Sequence, residues 1–407
     1  MNPRYRSLLI GLAFIAFISL GLPDGILGVA WPSVRREFHV PLSQLGYLLI
    51  AGTTGYFLSS LFAGTFQRRL GIGGVLLASN LLVLASLLGN ALTPAFPWMI
   101  LFGMLGGLGA GAIDAAINHF AASTFPPRWV SWLHACYGIG ATLGPLIMTT
   151  VIVRQLSWRY GYASVGVIIG AMSVLFLLTI KLWQTDPAPG ASSVKPIAPT
   201  GMREALRIPV VWMQIALFFL YTGIEVTAGQ WFYTLFTESR GMSPKIAGTI
   251  VSSYWASLTI GRIVFGYAAG HFKPVPLLRI AMSIAPLAAL LIWSNLSTTT
   301  TFIGAAVLGF SLAPIYPLLV SVTPTRVGER VAAHAIGFQV SAATIGVAVL
   351  PTIVGFLSRR VGLEIIGPFL LLAGVALMIL YELAIRRSRP HKQADAAPKV
   401  SVVANPR

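Results

Sequence analysis

Apolar runs of about 20 residues recur along this chain, and each is long enough to cross a hydrocarbon core of roughly 30 Å as a helix. Twelve can be marked off: 8–31, 43–66, 73–92, 97–120, 130–152, 160–183, 208–233, 246–270, 276–294, 300–321, 332–357 and 364–385. Inside lipid every backbone N–H and C=O must find its partner within the protein, so such runs fold as spanning helices. The expected fold class is therefore an all-α membrane protein with 12 transmembrane helices. A mean hydropathy of +0.80 with only 10% charged residues excludes an ordinary soluble domain, where roughly a quarter of residues are charged. The first run contains Pro23, Asp24 and Gly25 and continues into WPSVRREF, which reads as a retained helix and not a cleaved signal.

A net charge of +17 could suggest a nucleic-acid partner, but the cations follow the loops with alternating bias. With the N-terminus inside, one set of segments holds Arg4, Arg6, Arg68, Arg69, Arg128, Lys181, Lys195, Arg203, Arg207, Lys273, Arg279, Arg326, Arg330 and the basic tail. The opposite set holds only Arg35, Arg36, Arg154, Arg159, Arg240, Lys245, Arg359 and Arg360. That asymmetry is the positive-inside rule, and it sets both termini in the cytoplasm of a plasma (bacterial inner) membrane protein. The tail from Arg386 onward is expected to lie over anionic headgroups, and no nucleic acid is expected as a partner.

Residues 184–207, QTDPAPGASSVKPIAPTGMREALR, break the apolar pattern and read as a solvated linker, with a short amphipathic helix before Ile208. The chain divides into a six-helix bundle over 1–183, a cytoplasmic linker over 184–207, a second six-helix bundle over 208–386 and a basic tail over 387–407. GTFQRRLG after the second helix and GYAAGHFK after the eighth occupy corresponding places in the two halves. Two such halves point to a parallel-repeat transporter, with its ligand bound near the midplane between them. Glycine-rich stretches such as GMLGGLGAGAIDAA and YGIGATLGP let helices approach closely, for sliding or simply for tight packing. Pro145, Pro314, Pro317 and Pro351 are expected to kink or loosen their helices.

The chain has only 11 Asp and Glu, yet Asp24, Asp114 and Glu225 fall inside apolar runs. An acid at membrane depth is costly and marks a cavity, a substrate path or a proton relay. Asp114 and Asn118 are spaced i,i+4 and share a helix face, so an acid stands beside an amide. That pair suits proton coupling, or an interhelical hydrogen bond that only joins helices. Asp24 follows Pro23, where a broken helix frees backbone polar groups. Tyr221 and Glu225 are again i,i+4, with Gln230 and Trp231 beyond them, a set suited to a polyhydroxylated ligand. Arg262 needs a partner at depth or snorkels to the inner face, and a gating ion pair is one reading. His134, Tyr137, His334 and Gln339 flank the fifth and eleventh helices.

Nothing in the sequence suggests an enzyme. There is no P-loop, no His/Cys cluster with metal spacing and no nucleophile–base pair, so no cofactor or metal is expected. The single cysteine, Cys136, reads as a small apolar residue in a helix.

At these residues the chain resembles the major facilitator superfamily, and within it the fucose permease-like branch of proton-coupled sugar symporters. GLGAGAIDAAINHF is similar to that branch's fourth helix, with Asp114 where the family usually has glutamate and Asn118 at the family's asparagine. YTGIEVTAGQW, RGMSPKIAG, LTIGRIVFG and LGFSLAPIYP extend the likeness through the second half. Departures fall in the ligand zone: His134 and Tyr137 replace polar amides, Glu225 replaces an amide, and Arg68 stands at a loop position where aspartate is usual. The resemblance implies two pseudo-symmetric six-helix bundles working by alternating access.

The expected activity is proton-coupled uptake of a sugar-like small molecule by a monomer in the bilayer. Asp114, Asp24 and Glu225 would couple protons. Asn118, Gln230, Trp231, Tyr221, His134, Tyr137, Tyr316 and Gln339 would bind substrate, and Arg262, Arg68 and Arg69 would gate. A proton-driven exporter of drugs or amphipathic metabolites is the alternative, and a non-transporting membrane sensor the second.

Overall fold

The computed structural model describes residues 3–124, 127–183, 202–268 and 271–388, and these are helical almost throughout. The helices are α1 (Pro3–Gly21), α2 (Ile26–Glu37), α3 (Leu45–Leu92), α4 (Phe96–Thr124), α5 (Pro127–Val153), α6 (Trp158–Thr179), α7 (Met202–Leu206), α8 (Pro209–Thr234), α9 (Pro244–Ala268), α10 (Pro274–Ser294), α11 (Thr298–Leu312), α12 (Ile315–Val327), α13 (Glu329–Val361) and α14 (Ile366–Arg387). Most of the expected linker (184–201) and nearly all of the basic tail (389–407) lie outside the described residues. The short helix expected before Ile208 is α7.

Ten segments among the described residues are long and apolar enough to cross a membrane. The twelve expected crossings are nonetheless accounted for. The segment Leu42–Leu92 holds two, because Gly71 adopts φ 67° and ψ 171° inside α3 and turns the chain back. The remaining crossing is α9, which is less apolar because it carries Ser252, Ser253, Tyr254, Thr259 and Arg262. Two crossings are broken midway. The first is split into α1 and α2 at Leu22–Gly25, where Pro23 has no N–H to continue the ladder. The tenth is split into α11 and α12 at Ala313 and Pro314. Pro145 and Pro351, by contrast, sit inside continuous helices.

The first break is held against α5. A Cβ at Gly21 would lie 2.0 Å from the Tyr137 carbonyl oxygen, so only glycine allows this approach. In lipid the hydrophobic effect does not draw helices together, and such close backbone contact supplies the van der Waals attraction instead.

Each half is pinned internally at the same end by an arginine. In the first, Arg159 at the start of α6 bonds Glu37 at 2.8 Å and the Ala91 carbonyl of α3 at 3.0 Å, with Phe38 and Trp158 beneath its guanidinium. In the second, Arg240 after α8 bonds Glu364 at 2.8 Å and the Ile292 carbonyl of α10 at 2.9 Å, over Phe236. The two clamps tie the first, third and sixth crossings of each half, with acid and base exchanged between the ends of the clamp.

The halves meet at this same end, and also midway, where Gly138 of α5 packs against Thr259 of α9. Gly28 of α2 meets the backbone of Gly229 and Gln230 in α8, where a Cβ would lie 2.7 Å from the Gly229 oxygen. Gly46 of α3 meets Thr352 of α13, and Thr149 of α5 meets Gly248 of α9. Arg35 and Glu238 bridge the halves there at 2.6 Å. These contacts close this end.

Candidate functional site

Asp24 lies midway along the first crossing, yet it is exposed, because the chain break at Pro23 turns it into the cavity. The Tyr137 hydroxyl of α5 donates to Asp24 Oδ2 at 2.6 Å. The α1–α5 contact at Gly21 places these partners opposite each other. From the other half, Gln230 Nε2 donates to the Asp24 backbone oxygen at 3.1 Å.

Asp114 projects from α4 beside α3, and two neutral donors hold it. Tyr56 of α3 donates its hydroxyl to Oδ2 at 2.5 Å, and Asn118 Nδ2 donates to Oδ1 at 2.9 Å. Ser60 Oγ bonds the neighbouring Gly111 carbonyl at 3.2 Å. No cation pairs with Asp114 among the described residues.

Glu225 on α8 is held differently. Tyr221, one turn earlier, donates its hydroxyl to Oε2. Arg262 of α9 lies 3.3 Å from Oε1, and the Tyr254 hydroxyl donates to the Glu225 backbone oxygen at 2.9 Å. The same guanidinium stands 5.7 Å from the Tyr137 ring centre, which links this group to Asp24. Asp24 is thus open, Asp114 half-buried and Glu225 buried, and among the described residues Arg262 is the guanidinium that pairs with one of them.

The expected residues distribute unevenly. Asp24, Asp114, Glu225, Asn118, Tyr137, Tyr221 and Gln230 come together as described. Tyr316 follows the α11–α12 break and is half-buried, its ring 5.1 Å from Phe218 and 6.2 Å from Tyr221. His134 is exposed one turn before Tyr137, edge-on to Phe17 at 5.4 Å.

Trp231 and Gln339 do not line the cavity. Trp231 is fully buried, and its indole N–H donates to the Pro351 carbonyl at 2.9 Å, so it joins α8 to α13. Gln339 is fully buried in a network with Gln214 and Thr323, each 2.9 Å from its amide nitrogen. Both satisfy their polar atoms within the second half, which leaves them no free face. Arg262 has the ion-pair partner it needed, Glu225, and lies against Tyr137 of the other half. Arg68 and Arg69 are exposed, with Arg68 bonded to Thr65 at 3.2 Å, and neither forms an ion pair among the described residues. The ion pair that joins the halves is Arg35–Glu238, whose arginine had counted only as a loop cation.

The sequence reading also missed Tyr56 and Tyr254. A lone tyrosine in an apolar run gives no sign of the acid it will meet on another helix. The available hint for Tyr56 was its company, since Thr53, Thr54, Ser59 and Ser60 make that stretch of α3 unusually polar.

Comparisons with known proteins agree with this architecture. The family model described as Major Facilitator Superfamily matches residues 12–339 and 232–405. The 3-(3-hydroxy-phenyl)propionate transporter of Escherichia coli (strain K12) is 24% identical over 405 residues, covering 96% of both chains. Among solved structures, a bacterial homologue of the human lysosomal transporter Spinster, inward-facing and unoccupied, superposes with a TM-score of 0.73 at 16% identity. It covers 95% of this chain and 98% of its own. The transporter FucP in its outward conformation gives 0.64 at 17% identity, over 95% of this chain and all of its own (100%). The chain spans the membrane many times, and with a family model matching almost its whole length it belongs to the Major Facilitator Superfamily.

Proposed function

We infer that this transporter takes up a sugar-like polar metabolite by alternating access, coupled to protons. Asp114 carries the reading: it is an acid at membrane depth, facing the cavity and held only by the neutral donors Tyr56 and Asn118. Such a carboxyl can gain or lose a proton without leaving a cation unpaired. Glu225 cannot, because Arg262 depends on it.

The geometry supports a simple cycle. In the conformation described, the Arg35–Glu238 end is closed, which in this reading leaves the cavity open to the other side. The positive-inside bias makes that open side the cytoplasm, with both termini there. A proton arriving on Asp114 from outside accompanies the substrate, the halves rock about the midplane, and release of both to the cytoplasm resets the carrier. Ligand hydroxyls would meet Asp24, Tyr56, Asn118, Tyr137 and Tyr316, a lining of acids, phenols and an amide that favours a polar solute over an apolar drug. The fold likeness to FucP and to a D-xylose–proton symporter, 15% identical with a TM-score of 0.70, is in keeping with such a ligand.

The test uses purified protein in liposomes, with proton movement followed while sugars, sugar acids and cationic drugs are added, in sodium-containing and sodium-free buffers. Sugar-triggered proton entry that disappears in Asp114→Asn is the expected result. Drug-triggered proton movement in the opposite sense would replace this reading with export. Uptake requiring sodium and moving no protons would remove the proton from it.

A further inference from the structure

We propose that the substrate carries a protonated amine as well as hydroxyl groups, and that the amine binds at Asp24. This rests on the reading of the cavity as a sugar-like transport site, and it names the charge class of the ligand.

The cavity is short of positive charge. Among the described residues Asp24 and Asp114 pair with no cation, and Arg262 is already engaged by Glu225. The hydroxyl donors are committed too: Tyr56 to Asp114, Tyr137 to Asp24, Tyr221 to Glu225 and Tyr254 to the Glu225 carbonyl. The cavity therefore offers a ligand acceptors and few donors. Asp24 is the most open of the three acids, and the Tyr137 hydroxyl is the donor it meets, at Oδ2. Its other oxygen, Oδ1, is left for an incoming group.

Gln230 supplies an independent sign. This side chain is nine-tenths buried, and its amide nitrogen must point to the Asp24 backbone oxygen, which can only accept. Its own oxygen, Oε1, is thereby left without a partner beside Asp24. An unpartnered buried acceptor costs free energy until a donor reaches it. A three-donor ammonium supplies the donor that Asp24 Oδ1 lacks and brings the opposite charge to this open acid. A carboxylate or phosphate on the ligand would meet repulsion at every acid.

The experiment measures binding of glucosamine, glucose, N-acetylglucosamine and glucuronate, with the galacto counterparts, to purified protein by calorimetry at mildly acidic pH, where the amine is charged. The amino sugar is expected to bind about tenfold more tightly than the neutral sugar, the worth of one hydrogen bond to a charged acceptor. Acetylation, which keeps the ring and hydroxyls but removes the charge, should erase that advantage, and the acid should bind weakest. Asp24→Asn should bring the amine and the neutral sugar level. A neutral sugar that binds as well as the amine in the wild type overturns the proposal and leaves sugar transport standing. An amine preference that survives Asp24→Asn overturns it as well. If no hexose binds, the transport reading falls and this proposal with it.

Discussion

Asp114 and Glu225 are acids at similar depth in opposite halves, and their surroundings are built differently. Glu225 is matched by a guanidinium at 3.3 Å and is itself almost buried. Asp114 has a phenol and an amide and no opposing charge. An ion pair in a low-dielectric setting resists change, because removing either partner strands the other. A carboxyl held by neutral donors has no such dependent. The contrast is between an ion pair in the second half and an acid with neutral partners in the first.

The comparison can be broken most severely at Asp114. Asp114→Asn is expected to reduce concentrative uptake to background while counterflow of substrate continues, read in the same liposomes with and without a proton gradient. Intact uphill uptake would show that the proton travels elsewhere. Next in size is stability. Glu225→Gln or Arg262→Met alone should destabilise the protein by about 3 kcal/mol, the cost of an uncompensated buried charge. The pair of changes together should recover most of that loss, and Asp114→Asn should stay within about 1 kcal/mol of wild type. Thermal melting in detergent measures all four, and equal losses for Asp114→Asn and Glu225→Gln would erase the distinction.

Tyr56→Phe sharpens the comparison further. It removes one of the two donors on Asp114, a bond to a charged acceptor worth about 2 kcal/mol, so coupled uptake should fall roughly thirtyfold. Tyr254→Phe, whose hydroxyl serves only the Glu225 backbone, should change uptake far less. The smallest effect is expected at the closed end. Arg35 and Glu238 are both partly exposed, with side chains 27% and 20% accessible, so Arg35→Ala should cost no more than about 1 kcal/mol. Its signature is faster maleimide labelling of a cysteine placed at Thr149, in a Cys136→Ala background, as the outer contact loosens.

How much of this was legible beforehand depends on the range of the interaction. Asp114 with Asn118 and Tyr221 with Glu225 are i,i+4 partners, and helix geometry alone brings them together. The break at Pro23 could be read from proline's missing donor. The double crossing within α3 followed from the hydrophilic GTFQRRLG between two apolar runs. Partners on different helices were another matter. Nothing local distinguishes Tyr56, which reaches Asp114, from a tyrosine in ordinary packing. Arg262 could be seen to need a partner, but not that Glu225 would be it. Trp231 and Gln339 show the same limit in reverse: a buried amide or indole looks alike in sequence whether it faces a ligand or a neighbouring helix.

The two arginine clamps at the closed end bear on how the halves sort themselves during folding. In the first half the acid, Glu37, ends the first crossing and the base, Arg159, begins the sixth. In the second the base, Arg240, follows the seventh crossing and the acid, Glu364, precedes the twelfth. A newly inserted chain that docked the seventh crossing in the place of the first would set Arg240 against Arg159. The reciprocal error would set Glu37 against Glu364. Like charges at these positions repel where the correct pairs attract, so the reversal of sign proofreads the assembly of two otherwise similar bundles.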